Sequence, residues 1–199
     1  MDRLAIAELY KWKEKTDRKP LILKGVRQSG KTYLLKEFGK QAYSDVAYFN
    51  FEGNDPLQKC FDRDLDPRRI VNELGVFRRG SIKPKETLII FDEVQFCNRA
   101  LTALKYFCED APEYHVVCAG SLLGIALSKP LSFPVGKVDF MGLRPLSFYE
   151  FLLANHEKEM LGHLDGLDRR AKIPEIFTGK LIDYLKNYYI LGGMPEVVA

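Results

Sequence analysis

Residues Gly25-Val26-Arg27-Gln28-Ser29-Gly30-Lys31-Thr32 match G-x-x-x-x-G-K-[ST] at every fixed position, and that match narrows the possible folds sharply. A loop of this kind works only between a strand and a helix, because its backbone N–H groups must converge on an anion while the positive end of a helix dipole backs them. The flanks supply both. Leu21-Ile22-Leu23-Lys24 is a short apolar run of the buried-strand kind, and Tyr33-Leu34-Leu35-Lys36-Glu37-Phe38 has helical spacing, with Gly39 expected as its C-cap. Gly25 and Gly30 are expected to turn the backbone with positive φ and let it approach phosphates closely. Lys31 is expected to reach the β- and γ-phosphates of a nucleoside triphosphate, and the Thr32 hydroxyl to coordinate Mg²⁺. All eight residues form the expected phosphate cradle.

A second landmark gives the loop a chemistry. Leu88-Ile89-Ile90-Phe91-Asp92-Glu93 is a buried-strand run ending in two adjacent carboxylates, a Walker B pattern. At the carboxyl end of a central strand Asp92 is expected to hold Mg²⁺ through a water, and Glu93, turned another way, to polarise an attacking water. Guanine-specific enzymes usually have D-x-x-G at this strand end, where this chain has Asp92-Glu93-Val94-Gln95, and an N-K-x-D later, which does not follow, so guanine specificity is not expected.

The remaining chain reads as alternating strands and helices. Residues 4–15 are expected to be helical, with Trp12 as a packing residue in preference to an adenine contact. Residues 46–52, rich in aromatic and β-branched residues, are a second strand, completing a parallel βαβ unit. Asp66 and Pro67 suit the N-cap and first position of a helix over 67–77. Near it Arg68, Arg69, Arg78, Arg79, Lys83 and Lys85 are expected to be a solvated face before a docking surface. Residues 98–109 have helical spacing. His115-Val116-Val117-Cys118-Ala119-Gly120-Ser121 is a fourth strand, where Ser121 is the candidate to sense the γ-phosphate and His115, at the far end, is structural. Residues 136–143 supply a fifth strand, and Ser147-x-x-Glu150 is a capping box opening a helix. Residues 158–174 read as a polar linker or loop, and 175–191 as a helix stopped by Gly192-Gly193-Met194-Pro195. The expected fold is an α/β sandwich with a parallel sheet of about five strands and helices on both faces.

Composition excludes some alternatives. A formal net charge of +3 neither requires nor excludes a nucleic-acid partner. Cys60, Cys97, Cys108 and Cys118 form no C-x-x-C pair and sit in apolar surroundings, as reduced core thiols of a cytoplasmic protein do. No apolar run approaches the roughly 18 residues of a membrane span, so no membrane partner is expected.

Taken in order, G-V-R-Q-S-G-K-T, Y-F-N-F-E, F-D-E-V-Q, A-G-S, R-P-L-S-F-Y-E-F and G-G-M-P-E-V-V resemble the bacterial and archaeal AAA-type P-loop ATPases that carry an additional C-terminal domain. Arg27-Gln28, Gln95 and Pro145-Leu146-Ser147-Phe148 are the more particular marks. The resemblance implies ATP and Mg²⁺ binding, hydrolysis and a sheet ordered 5-1-4-3-2. It also implies an ATPase core over residues 1–159, with 160–199 as a linker and helical segment opening a lid or C-terminal domain. Self-association is a further implication, because such ATPases usually receive a catalytic cation from a neighbouring subunit or a lid. Where the family commonly has Gly-Arg, a natural phosphate contact, this chain has Gly136-Lys137, and lysine lacks the planar fork. Two other readings use the same cradle: a nucleotide-gated interaction module with little turnover, and a small P-loop phosphotransferase. Glu93, suited to water attack, argues against the phosphotransferase.

Overall fold

Five strands, β1 (Leu21–Lys24), β2 (Asp45–Asn50), β3 (Thr87–Asp92), β4 (His115–Gly120) and β5 (Asp139–Gly142), make one wholly parallel sheet ordered β2-β3-β4-β1-β5 in the computed structural model. This is the expected order read from the other edge. The structure describes residues 3–120, 134–168 and 171–198. They fall into two compact units: a larger one, residues 6–27 and 31–143, which holds the sheet, and a smaller helical one, drawn from residues 3–5, 28–30 and 144–198.

Burial follows position in the sheet. Every residue of β3 and β4 is buried, as a central parallel strand covered on both faces requires. The edge strand β5 alternates between half-buried and exposed, and the opposite edge strand β2 buries only Ala47 and Phe49. On one face Ile22, Ala47, Phe49, Ile89, Phe91, Val116 and Cys118 pack with Ile70, Val71 and Leu74 of the helix Pro67–Arg78 and with Ala100, Leu104 and Phe107 of the helix Asn98–Asp110. The two-residue alternation turns Leu21, Leu23, Leu88, Ile90 and Val117, all buried, to the opposite face. There lie α1 (Ile6–Glu14), burying Leu9 and Trp12, and α2 (Lys31–Ala42), burying Leu34, Leu35 and Phe38. Trp12 is a packing residue, as expected: it meets the Phe38 ring edge-on and its Nε1–H donates to the Lys19 carbonyl at 2.8 Å. A short helix α3 (Asp55–Lys59) precedes Pro67–Arg78, which is α4; Asn98–Asp110 is α5.

Two expectations from the sequence need correction. Gly39 does not cap α2, which runs on to Ala42. A Cβ at Gly39 would lie 2.6 Å from Val46 Cγ2 and 3.3 Å from Leu88 Cδ2, so the glycine serves the close approach of helix to sheet and not a left-handed turn. Residues 158–174 are not all loop, because Lys158–Asp165 forms a helix, α7. Its apolar stripe is only Met160, Leu161 and Leu164, broken by Gly162. Burial of Met160 and Leu161 against Leu152 outweighs that weak propensity.

Other expectations hold. The Asp66 side chain accepts from the Arg68 N–H and Pro67 takes the first position of α4. The basic residues around α4 are largely paired: Arg68 with Glu113, Arg69 with Asp64 and Glu73, Arg78 with Asp45, and Lys83 with Glu86. In the smaller unit Ser147 and Glu150 form the reciprocal capping box of α6 (Phe148–Ala154). The long helix α8 (Glu175–Leu191) ends at Gly192, whose φ of 72° closes it, before the short α9 (Pro195–Val198). The four cysteines are free thiols, with Cys97 and Cys118 buried.

His115 opens β4 at the amino edge of the sheet, buried, with Nδ1 2.7 Å from the Tyr43 hydroxyl. Burial, then the positive charges of Arg18, Lys13 and Lys85, pushes its pKa down to about 4. The unfolded chain therefore takes up this proton more readily than the folded one, so the contribution of His115 is intact above pH 6.5 and is lost as pH falls towards 4. Its size is up to about 3 kcal/mol. Urea denaturation between pH 4.5 and 6.5 is expected to show this slope, and His115→Gln to flatten it; an equally steep slope in the variant would assign the effect elsewhere.

Candidate functional site

The carboxyl edge of the sheet brings Thr32 and Asp92, one from each landmark, together within the larger unit. β1 leads into the glycine loop, and α2 opens with Lys31 and Thr32. β3, two places away across β4, ends at Asp92. The Thr32 hydroxyl donates to Asp92 Oδ2 at 2.8 Å, so residues 60 positions apart in sequence meet. Asp92 is 3% exposed and accepts twice more, from the Tyr48 hydroxyl on Oδ2 at 2.8 Å and from the Glu93 N–H on Oδ1 at 3.0 Å. Its place is set by the residue before it: the Phe91 ring is wholly buried and sits within 6.4 Å of the rings of Phe49, Phe51, Phe61 and Phe107.

Within the loop, positive φ occurs at Gln28 (63°) and Gly30 (84°). Gly30 was expected, whereas Gln28 takes the turn assigned to Gly25. Left-handed backbone at a side-chain-bearing residue costs about 1–2 kcal/mol, which the loop must recover elsewhere. The Lys31 ammonium donates to the carbonyls of Gly25 at 3.0 Å and Val26 at 2.7 Å. Burial lowers its pKa, and the Glu93 and Asp92 carboxylates oppose that shift. Arg27 is exposed. Ser29 is buried, and in the smaller unit its carbonyl accepts from Arg3 Nη1 at 2.9 Å. The same guanidinium binds Glu150 Oε1 at 3.0 Å and the Arg144 carbonyl at 2.6 Å. Burial pushes the Glu150 carboxyl up, but bonds from Ser147, Arg3 and Leu4 outweigh it and hold the pKa below the usual glutamate value.

Glu93 adopts left-handed backbone, φ 49° and ψ 42°, and so leaves the strand direction that Asp92 still follows. Its carboxylate accepts from Gln95 Nε2. Gln95 Oε1 is buried without a hydrogen-bond partner among the described residues. Ser121 lies outside the described residues; β4, which it follows, ends at Gly120 between β3 and β1.

The resemblance pointed to the Lys137 position for a phosphate contact, and within one chain the geometry does not bring Lys137 to the cradle. Lys137 Nζ pairs with Glu109 Oε1 at 2.8 Å. It precedes β5, whose first residue Asp139 is level with Leu21, the first residue of β1, whereas the loop follows the last. With about 3.3 Å of rise per residue, the length of the sheet separates Lys137 from the cradle.

Sequence reading missed Tyr48. The alternation of Ala47 and Phe49 into the core shows that Tyr48 faces α2. That its hydroxyl reaches Asp92 depends on the β2–β3 register, Tyr48 opposite Ile90, which no local signal reveals. Among the described residues no cluster of three or more His, Cys, Asp or Glu could hold a metal ion alone. A threonine hydroxyl and a buried carboxylate 2.8 Å apart are nevertheless a hard-oxygen pair of the kind that suits Mg²⁺, which keeps several waters and takes phosphate oxygens as further ligands. No helix among the described residues is long and apolar enough to cross a membrane.

A family model described as AAA domain matches residues 17–152, which include the loop, both Walker B carboxylates and the capping box. Among solved structures, the Walker-type ATPase of Pyrococcus abyssi aligns with a TM-score of 0.58 at 16% identity, over 99% of this chain and 65% of its own. Drosophila ORC bound to DNA aligns with a TM-score of 0.56 at 16% identity, over 94% of this chain and 56% of its own. At such identity the likeness is one of fold, and this chain spans 65% or less of either relative's length. No curated protein matches the chain.

Proposed function

We propose that this chain, which belongs to the AAA domain family, binds ATP with Mg²⁺ and hydrolyses it to ADP and phosphate. The observation that carries the reading is the 2.8 Å bond between Thr32 and Asp92, which joins the glycine loop to the Walker B strand at the carboxyl edge of a parallel sheet. In this reading the backbone of residues 25–32 cradles the phosphates, and Lys31 exchanges two carbonyl partners for β- and γ-phosphate oxygens. Thr32 and Asp92 would hold Mg²⁺, which when bound neutralises charge on the phosphates. Glu93 takes a proton from water as the water oxygen bonds to the γ-phosphorus and the bond from phosphorus to ADP breaks. Ser121 is proposed to sense the γ-phosphate. Residues 1–159 would carry this chemistry and 160–199 relay it to a partner or to another copy of the chain.

One observation favours a second reading, a nucleotide-gated interaction module with little turnover. The Gln95 amide engages the Glu93 carboxylate, and a base so engaged must be released before it can accept a proton.

Both readings require binding. A ligand at 100 times its Kd adds about 2.7 kcal/mol, or about 5–10 °C in Tm for a domain of this size. Millimolar Mg-ATP is expected to raise the melting temperature by that amount. An unchanged melting curve would end the nucleotide-site reading.

A further inference from the structure

Asp92 has about four lone-pair positions on its two oxygens. Three are taken: Oδ2 accepts from both Thr32 Oγ1 and Tyr48 Oη, each at 2.8 Å, and Oδ1 accepts from the Glu93 N–H at 3.0 Å. Among the described residues one position on Oδ1 is left, enough for a single donor such as a metal-bound water. The Thr32 bond and the Glu93 N–H come from the two motifs themselves. The Tyr48 bond comes from a third element, the edge strand β2, two residues down the ladder from the Asn50–Asp92 pair. A phenol spans that offset because two strand residues rise about 6.6 Å and the side chain is about as long.

Tyr48 is itself clamped. The Lys36 ammonium lies 3.6 Å from the centroid of its ring. Lys36 follows Thr32 by four residues, so one face of α2 carries both the hydroxyl beside Asp92 and the cation that steadies the phenol. Thr32, Lys36, Tyr48 and Asp92 thus close a circuit over α2, β2 and β3. From this geometry we propose that Tyr48 is a positioning residue for the Asp92 carboxylate, holding its rotamer so that the remaining Oδ1 lone pair faces the Mg²⁺ that accompanies ATP.

The inference rests on the nucleotide-site reading and assigns to it a residue outside both Walker motifs. Partners that orient a metal ligand from behind typically change metal affinity by about 10–100-fold when removed. Tyr48→Phe deletes one oxygen and keeps the ring under Lys36. The test is equilibrium binding of a fluorescent ATP analogue, first in EDTA and then along a Mg²⁺ titration, with the melting temperature of the ligand-free protein as a third readout. Tyr48→Phe is expected to move the Mg²⁺ midpoint up by about 10-fold, with metal-free nucleotide affinity within twofold of the unmodified chain. Lys36→Met should move the midpoint the same way by a smaller factor, because it loosens the ring without removing the hydroxyl.

An unmoved midpoint in Tyr48→Phe overturns the inference. Equal losses of metal-free and metal-dependent affinity, with a lowered melting temperature, overturn it too, because a merely structural hydroxyl does that. Failure of the unmodified chain to bind the analogue at any Mg²⁺ concentration removes the nucleotide-site reading, and is distinguished from the other outcomes by that control.

Discussion

Lys31→Ala is expected to abolish most of the thermal stabilisation by Mg-ATP and to weaken nucleotide binding by about 10²-fold or more. Lys31 is buried, 7% exposed as a residue, and burial lowers its pKa against the pull of Glu93 and Asp92. It donates to two neutral carbonyls, those of Gly25 and Val26. Phosphate oxygens in their place are charged acceptors, and hydrogen bonds of that kind contribute about 1.5–3 kcal/mol each. The exchange therefore favours the bound state by the difference between charged and neutral acceptors, and alanine removes that gain. The ligand-free variant loses two bonds to its own loop, so its stability should fall by about 1–3 kcal/mol. Calorimetric titration with Mg-ATP measures the first effect and denaturation without ligand the second. Affinity within threefold of the unmodified chain would show that the backbone cradle binds without its lysine.

The strongest signals in the sequence were those whose chemistry is local. The glycine loop, the Walker B carboxylates and the Ser147 capping box each depend on a few adjacent residues, and each is found where the pattern put it. The uninterrupted apolar runs of β3 and β4 likewise announced central parallel strands. Features decided by contact between elements were not legible. Gly39 looks like a terminator until Val46 and Leu88 are seen to occupy the space its Cβ would need. The α7 segment is too polar to declare itself a helix before Leu152 covers Met160 and Leu161. Lys137 follows a glycine in a motif and invited a phosphate contact, but the level of β5 against β1 carries it to the opposite edge, beside Glu109. Tyr48 reaches Asp92 only through strand register, and a one-residue slip would turn it into the core. Gln28 in the left-handed region shows the same limit within the loop, where the pattern names glycines and the backbone also turns at its neighbour.

Glu93→Gln is expected to keep ATP affinity within a few-fold while slowing phosphate release by about 10²-fold or more, because the exchange preserves shape and removes the base. The backbone already separates the two carboxylates: Asp92 stays in line with β3 under three hydrogen bonds, whereas Glu93 turns away in left-handed conformation with Gln95 as its partner. Hydrolysis at the unmodified rate by Glu93→Gln would remove Glu93 from the reaction. The starting rate should itself be low. A cation meeting the transition-state charge is worth about 10³–10⁵ in phosphoryl transfer. Lys137, the residue the family resemblance offered for that duty, is held at the far edge of the sheet by Glu109. Lys137→Arg is therefore expected to leave the turnover of a dissociated chain unchanged, and a rise that appears only as protein concentration increases would assign the position a contact in a neighbouring copy. If the cation comes from a second copy of the chain, kcat per subunit should rise with protein concentration, and Glu93→Gln should stay slow at every concentration. Fast turnover independent of concentration would mean that the charge is met within one chain, and Arg27, exposed in the loop itself, would be the first residue to replace.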